Sequence, residues 1–172
     1  MPANIEIKAR VRGDLESLRV RAAELATEAP RVIAQEDTFF QTPSGRLKLR
    51  VPIQGPAELI YYERANETGP KRSLYSVAAI ADAQALIRVL EESLGVRGVV
   101  RKTRELFIAA DTRIHLDEVE FLGNFIELEV AMPGADEVSG RRRCHELMQA
   151  LGIRDEDLVE GAYIDMLEKC RV

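Results

Sequence analysis

Charged residues in this sequence recur two apart within short stretches, the spacing at which side chains on an extended strand point the same way. Arg46, Lys48 and Arg50 alternate with Leu47, Leu49 and Val51, and Lys102 and Arg104 share one parity. Glu6 and Lys8 alternate with Ile5 and Ile7; Arg113, His115 and Asp117 form a further row; Glu127 and Glu129 alternate with Ile126, Leu128 and Val130. The rows offer a basic set, Lys8, Lys48, Arg50, Lys102, Arg104 and Arg113, and an acidic set, Glu6, Asp117, Glu127 and Glu129. An antiparallel sheet with one face in water produces the same alternation with no function attached. If the sheet instead closes so that the rows converge, buried charges of both signs need partners. A triphosphate with a metal ion supplies them: carboxylate oxygens hold Mg²⁺ or Mn²⁺, while Lys and Arg neutralise the phosphate oxygens. Carboxylates do not bind phosphate directly, so their place among so many cations points to metal ligation.

The elements that must position these rows can be read from period and punctuation. Residues 4–12 alternate strictly, with Ile5, Ile7, Ala9 and Val11 on one face, and predict a strand. Asp14 caps a helical run carrying Leu15, Leu18, Ala22 and Leu25, ended near Pro30, which covers an apolar sheet face. Strands follow at 32–40 and 46–52, joined by the turn residues Thr42-Pro43-Ser44-Gly45, then at 58–64 and 71–77 across the turn-rich 66–70 segment. A second helix opens at Asp82 and closes at Gly95. Strands at 98–109, 112–121 and 124–132 form a meander, with a third helix at 136–151 and helical turns at 155–160 and 163–169. Strands arriving in hairpins rather than alternating with helices predict an α+β fold with antiparallel pairing.

At 172 residues and 46% hydrophobic, the chain is expected to form one domain over 1–172. No run of 18 or more apolar residues occurs, and the opening MPANIEIKAR carries charge where a signal peptide needs an apolar run, which predicts a soluble, cytoplasmic protein away from membranes. The net charge of −5 argues against a nucleic-acid scaffold. Cys144 and Cys170 lack metal-ligand spacing and are expected as free thiols. His145 and the run Arg141-Arg142-Arg143 read as helix surface, and His115 as a structural hydrogen-bonding residue with an acid–base role as the alternative. The sequence leaves the oligomeric state open, a homodimer through an apolar patch on the outer helices included.

The stretch Asn4-Ile5-Glu6-Ile7-Lys8 resembles the ExExK signature that opens the CYTH, or triphosphate tunnel, family, which includes class IV adenylyl cyclases and thiamine triphosphatases. Gln35 to Phe40, Gly45 to Arg50, Lys102-Thr103-Arg104, Leu116 to Val119 and Gly123 to Glu129 are similar to its later blocks, in order, over nearly the whole chain. The resemblance implies an eight-stranded antiparallel β-barrel, open at both ends, with helices packed outside. It implies Lys8, Lys48, Arg50, Lys102, Arg104 and Arg113, with Arg64 and Arg72 as further positions, as triphosphate contacts. By the same comparison Glu6, Asp117, Glu127 and Glu129 are the metal ligands, and Glu6, Lys8, Arg50 and Lys102 the catalytic group. Asn4 departs from the signature: it stands where the first glutamate belongs, which removes a charge and puts a second metal ion in doubt. Tyr163, in a block similar to the C-terminal segment of class IV cyclase-like members, is expected to plug or line one barrel mouth.

Two reactions fit such a site. Attack by a ribose 3′-hydroxyl on the α-phosphorus of ATP gives cyclic AMP and pyrophosphate; attack by water on a terminal phosphoryl group makes a triphosphatase for tripolyphosphate, thiamine triphosphate or a nucleotide. Gly69-Pro70-Lys71-Arg72-Ser73 and the Tyr163 block bring the likeness nearest to the cyclase branch. A non-catalytic binder of polyphosphate or nucleotide is the third reading, and Asn4 is the feature that favours it.

Overall fold

The protein is described here from a computed structural model, covering residues 1–132 and 136–170. Its elements run β1 (Ala3–Arg10), α1 (Leu15–Leu25), β2 (Arg31–Phe40), β3 (Arg46–Pro52), β4 (Ala57–Arg64), β5 (Lys71–Ile80), α2 (Ala83–Leu94), β6 (Val96–Ala109), β7 (Thr112–Val119), β8 (Gly123–Ala131), α3 (Glu137–Leu151), a 3-10 turn (Asp155–Asp157) and α4 (Tyr163–Cys170). The eight strands close into an antiparallel barrel in the order β1-β5-β4-β3-β2-β6-β7-β8. Closure abolishes sheet edges, and it turns one parity of every strand inward. Strand ends differ from the expected ones by a few residues. The strand expected to reach residue 121 stops at Val119, because the chain turns through Phe121 at a positive φ of 67°.

The outward parity on one side of the barrel carries the main apolar core. Ile5, Ile7 and Ala9 of β1, Phe107 of β6, Ile114 and Leu116 of β7 and Ile126 and Leu128 of β8 pack beneath Leu18 and Ala22 of α1 and Leu147 and Met148 of α3. Each fully buried side chain of this size contributes about 1.5–3 kcal/mol, which fixes strand parity and so leaves the charged parity facing the interior. Both helices start on aspartates that accept from the first free backbone N–H groups: Asp14 from Glu16 and Ser17, Asp136 from Ser139. The carboxy end of α3 needs Gly152, whose φ of 71° lies in the left-handed region. Helix α2, capped by Asp82, lies against β2 and β3. Among the described residues no helix is long and apolar enough to cross a membrane.

The expectation of a barrel open at both ends is corrected at one end. Ala162, Tyr163, Ile164, Met166 and Leu167 pack against Phe39, Val100, Val119, Leu122 and Phe125 and so cover that rim. Gly98 makes the approach possible, since a Cβ there would lie 2.6 Å from Cδ1 of Ile164. Salt bridges from Arg46 and Arg97 to Asp165 hold the segment in place. Helix α4 is thus a stopper, whereas α1 and α3 lie on the outer wall.

Candidate functional site

The inward residues enclose a cavity of about 1010 Å³, at the upper end of the roughly 300–1,000 Å³ usual for small-molecule sites. Strand direction sets depth. Phe39, Val100 and Tyr163 form the floor at the covered end; a charged belt follows; Ile33, Pro52, Val77 and Leu106 lie toward the other end. Among the described residues the cavity wall carries eight lysines and arginines (Lys8, Arg31, Lys48, Arg50, Arg64, Lys102, Arg104, Arg113) against five acids (Glu6, Asp37, Glu58, Glu127, Glu129). With every one of these groups ionised the interior has a formal excess of three positive charges, in a chain whose formal net charge is −5.

Two aspartates anchor the cations. Asp37 of β2 accepts from Lys48 Nζ at 2.8 Å, from Arg50 Nε at 3.0 Å and from Gln35 Nε2 at 2.9 Å. Burial alone would raise the Asp37 carboxyl, but Arg50, Lys48 and Lys102 hold it well below the usual range. Asp117 of β7 accepts from Arg104 Nε and Nη2, both at 2.6 Å, from Lys102 Nζ at 3.2 Å and from the Tyr163 hydroxyl at 2.8 Å. Here too burial is outweighed, by Arg104 and Lys102, and the carboxyl stays ionised. Burial and Arg104 push the Lys102 ammonium down to about 7, against the attraction of Asp117. The anchored cations are oriented in advance of any ligand, which lowers the cost of gathering charge around an anion.

On the facing side Lys8 lies 3.1 Å from Glu127 and 3.9 Å from the ring centre of Tyr163. Arg64 pairs with Glu6 and donates to the Gly161 carbonyl at 2.6 Å. Arg113 Nη2 approaches Glu129 Oε2 at 2.6 Å. Three ligand-type atoms, from His115, Glu127 and Glu129, lie within 4.8 Å of one another. Among the described residues the buried His115 Nδ1 atom has no hydrogen-bond partner, and neither has Asn4 Oδ1. Burial and Arg104 lower the His115 imidazole, so it is neutral near pH 7 and able to offer a lone pair. Two carboxylates and a neutral imidazole are a donor set that fits a divalent ion.

Most of the residues singled out from sequence do meet in this cavity: Glu6, Lys8, Lys48, Arg50, Arg64, Lys102, Arg104, Arg113, Glu127 and Glu129 all line it. Arg72 does not. It is exposed, in register with the outward Ile5, while its neighbour Lys71 is buried opposite Glu6. Asp117 shares the inward parity but is enclosed by Lys102, Arg104 and Tyr163, so it anchors cations from behind the cavity wall. The structural hydrogen bond expected of His115 is missing at Nδ1.

Sequence reading gave no role to Asp37 or Lys71. Asp37 shares its parity with Gln35 and Phe39, a mixed row that carries no charge pattern. Lys71 directly follows a turn in a strand without clean alternation; its register with Glu6 was the missing signal.

The family model for the CYTH domain matches residues 2–163. A Methanocaldococcus jannaschii protein named as a candidate adenylate cyclase is 29% identical over 83 residues, which are 46% of this chain and 47% of that protein. The match thus spans about half the length of that relative. The structure of a Pyrococcus horikoshii OT3 protein superposes with a TM-score of 0.85 at 25% identity, over 94% of this chain and 98% of the other. A Hippeastrum protein, described as a candidate adenylyl cyclase with a dominant triphosphatase activity, shares the fold at a TM-score of 0.63 and 15% identity, over 98% and 97% of the two chains.

Proposed function

This chain belongs to the CYTH domain family, and from that premise we propose that it is a divalent-metal-dependent enzyme acting on a triphosphate inside its barrel. The observation that carries the proposal is the inverted charge of the interior, three positive charges in excess within an acidic protein. A polyanion is the ligand that offsets such an excess, and Lys and Arg are the groups that bind phosphate oxygens.

In this reading Lys48 and Arg50, braced on Asp37, and Lys102 and Arg104, braced on Asp117, bind the triphosphate from β3 and β6. Lys8, Arg64 and Arg113 complete the basic wall. Glu127 and Glu129, with Glu6 beside them on β1, are the acidic groups that would hold Mg²⁺ or Mn²⁺. A bound ion supplies Lewis-acid polarisation of the phosphate oxygens. Lys8, Arg50 and Lys102 offset charge that develops as the P–O bond breaks, and Glu6 keeps Arg64 oriented. The floor of Tyr163, Phe39 and Val100 keeps bulk water from the covered end.

Cyclisation of ATP in the manner of class IV adenylyl cyclases is the first reading: the 3′-oxygen attacks the α-phosphorus, loses its proton, and pyrophosphate leaves. The apolar residues Ile33, Pro52, Val77 and Leu106 toward the uncovered end favour an organic group beyond the phosphates. Likeness to the M. jannaschii relative supports the same branch. Hydrolysis is the second reading. The same fold carries a dominant triphosphatase activity in the Hippeastrum protein, so the fold by itself permits both.

Incubating purified protein with ATP or tripolyphosphate and Mg²⁺ or Mn²⁺, then resolving products, separates them. Cyclic AMP with pyrophosphate supports cyclisation, and orthophosphate supports hydrolysis. Tight binding with neither product, across both ions, would sink the enzymatic reading and leave a binding protein.

A further inference from the structure

We infer that His115 is a ligand of the divalent ion, through Nδ1 and together with Glu127 and Glu129, so that the site prefers first-row ions that accept nitrogen over Mg²⁺. The inference rests on the metal-dependent reading above and deepens it. His115 is buried on β7, in register with Glu127 of β8, and on the same parity as Arg113, which faces Glu129. Its Nδ1 lies 3.9 Å from Glu129 Oε1 and 4.0 Å from Glu127 Oε2, too far for hydrogen bonds. Donors at roughly 2.0–2.1 Å from an ion stand about 3 Å apart at right angles, so side-chain rotations that bring the carboxylates about 1 Å nearer the ring would let one ion take all three.

The carboxylates are turned to suit. Glu129 accepts from Arg113 through Oε2 and leaves Oε1 toward the ring. Glu127 pairs with Lys8 through Oε1 and accepts from Arg104 through Oε2 at 2.9 Å, an oxygen that lies 4.0 Å from the ring and has a second lone pair for an ion. A buried ring nitrogen with neither a hydrogen-bond donor nor an acceptor at contact distance carries a desolvation cost that an ion would remove. Asp117, by contrast, lies behind the cavity wall, with three donors, Arg104, Lys102 and Tyr163, on Oδ2 alone and Arg104 on Oδ1 as well. Mg²⁺ builds near-ideal octahedra from oxygen, whereas imidazole suits Fe, Ni, Cu and Zn ions; Mn²⁺, lowest in that series, is the paramagnetic member in which a nitrogen ligand can be read directly.

The test uses the full chain, stripped of metal with a chelator and loaded with Mn²⁺ as the probe, with and without inorganic tripolyphosphate. Pulsed EPR of the wild-type protein reads ¹⁴N coupling to the bound ion and needs no variant that might fail to fold. Coupling in the wild type that disappears in His115→Gln is expected. With it, Mn²⁺ affinity should fall about tenfold or more, while Mg²⁺, measured by competition, weakens much less. Mn²⁺ bound without ¹⁴N coupling, yet released by Glu127→Gln or Glu129→Gln, would overturn the role of His115 and leave the metal-dependent reading standing. No bound Mn²⁺ in the wild type at all would overturn both.

Discussion

The hydroxyl of Tyr163 donates to Oδ2 of Asp117 at 2.8 Å, joining the stopper at the barrel's covered end to the carboxylate that braces Lys102 and Arg104. The same ring lies 3.9 Å from Lys8 Nζ and 5.0 Å from Lys102 Nζ, so the stopper also forms the floor beneath two cations.

Tyr163→Phe should therefore cost about 1–3 kcal/mol of stability, the penalty for removing a donor from a buried charged acceptor. The ring and its packing on Phe125, at a 5.0 Å centroid distance, remain. Denaturant unfolding of the variant measures the loss. Stability equal to wild type would mean that the hydroxyl is not engaged with Asp117 in solution.

Arg50 stands at the edge of the belt, partly open to the cavity, with Asp37 as its partner. Arg50→Ala should weaken tripolyphosphate binding by about ten- to hundredfold, the worth of a hydrogen bond to a charged group, roughly 1.5–3 kcal/mol. Lys48 and Gln35 still satisfy Asp37, so the fold should persist. Calorimetric titration alongside a melting curve separates loss of affinity from loss of structure.

Lys102 gives the site a pH dependence. Its folded value of about 7 lies below the free-lysine value of 10.5, so between those limits the unfolded chain binds more protons than the folded one. For this group, stability of the ligand-free protein rises with pH across that window, and the destabilisation is fully present only below about 7. Anion binding runs the other way, because the phosphate needs the charged ammonium. Affinity for tripolyphosphate should fall above about pH 7, by up to about tenfold per unit. Lys102→Arg, whose charge persists, should flatten the fall when both proteins are titrated in the same buffers. Parallel pH profiles for the two would remove Lys102 from the account.

Glu127→Gln and Glu129→Gln should each lower Mn²⁺ affinity by about tenfold or more. Asn4 lies two positions along β1 from the Glu6–Glu129 pair, on the same face, and its buried Oδ1 has no partner among the described residues. Asn4→Glu adds a carboxylate there and should raise the number of ions held with tripolyphosphate. An unchanged count, from metal analysis after gel filtration, would show that position to be unimportant.

Much of the site was legible because closure of a barrel needs one parity inside, and the apolar parity of β1, β7 and β8 was unmistakable: Ile5 and Ile7, Ile114 and Leu116, Ile126 and Leu128. With that parity under α1 and α3, Glu6, Lys8, His115, Glu127 and Glu129 had to face inward. Parity failed at β5, where Lys71 to Ile80 lacks alternation and only the pairing of Lys71 with Glu6 decides that Arg72 points out. Depth and occupancy were illegible for a different reason. That Asp117 is consumed by Arg104, and that Asp37 braces Lys48 and Arg50, depends on the register within the β6–β7 and β2–β3 hairpins, which period alone does not set. The Tyr163 block pointed to a plugged mouth, but how closely the last helix docks depends on Gly98 of β6 beneath Ile164, a contact that no spacing in the sequence reveals.

The most direct test of a metal-assisted triphosphate site is calorimetric titration of tripolyphosphate into the metal-free protein and into the protein with saturating Mn²⁺. Binding at one site per chain, strengthened at least tenfold by the ion and lost when Lys48 and Arg50 are both replaced by alanine, is the predicted result. An affinity indifferent to the ion, or untouched by those two replacements, would contradict it.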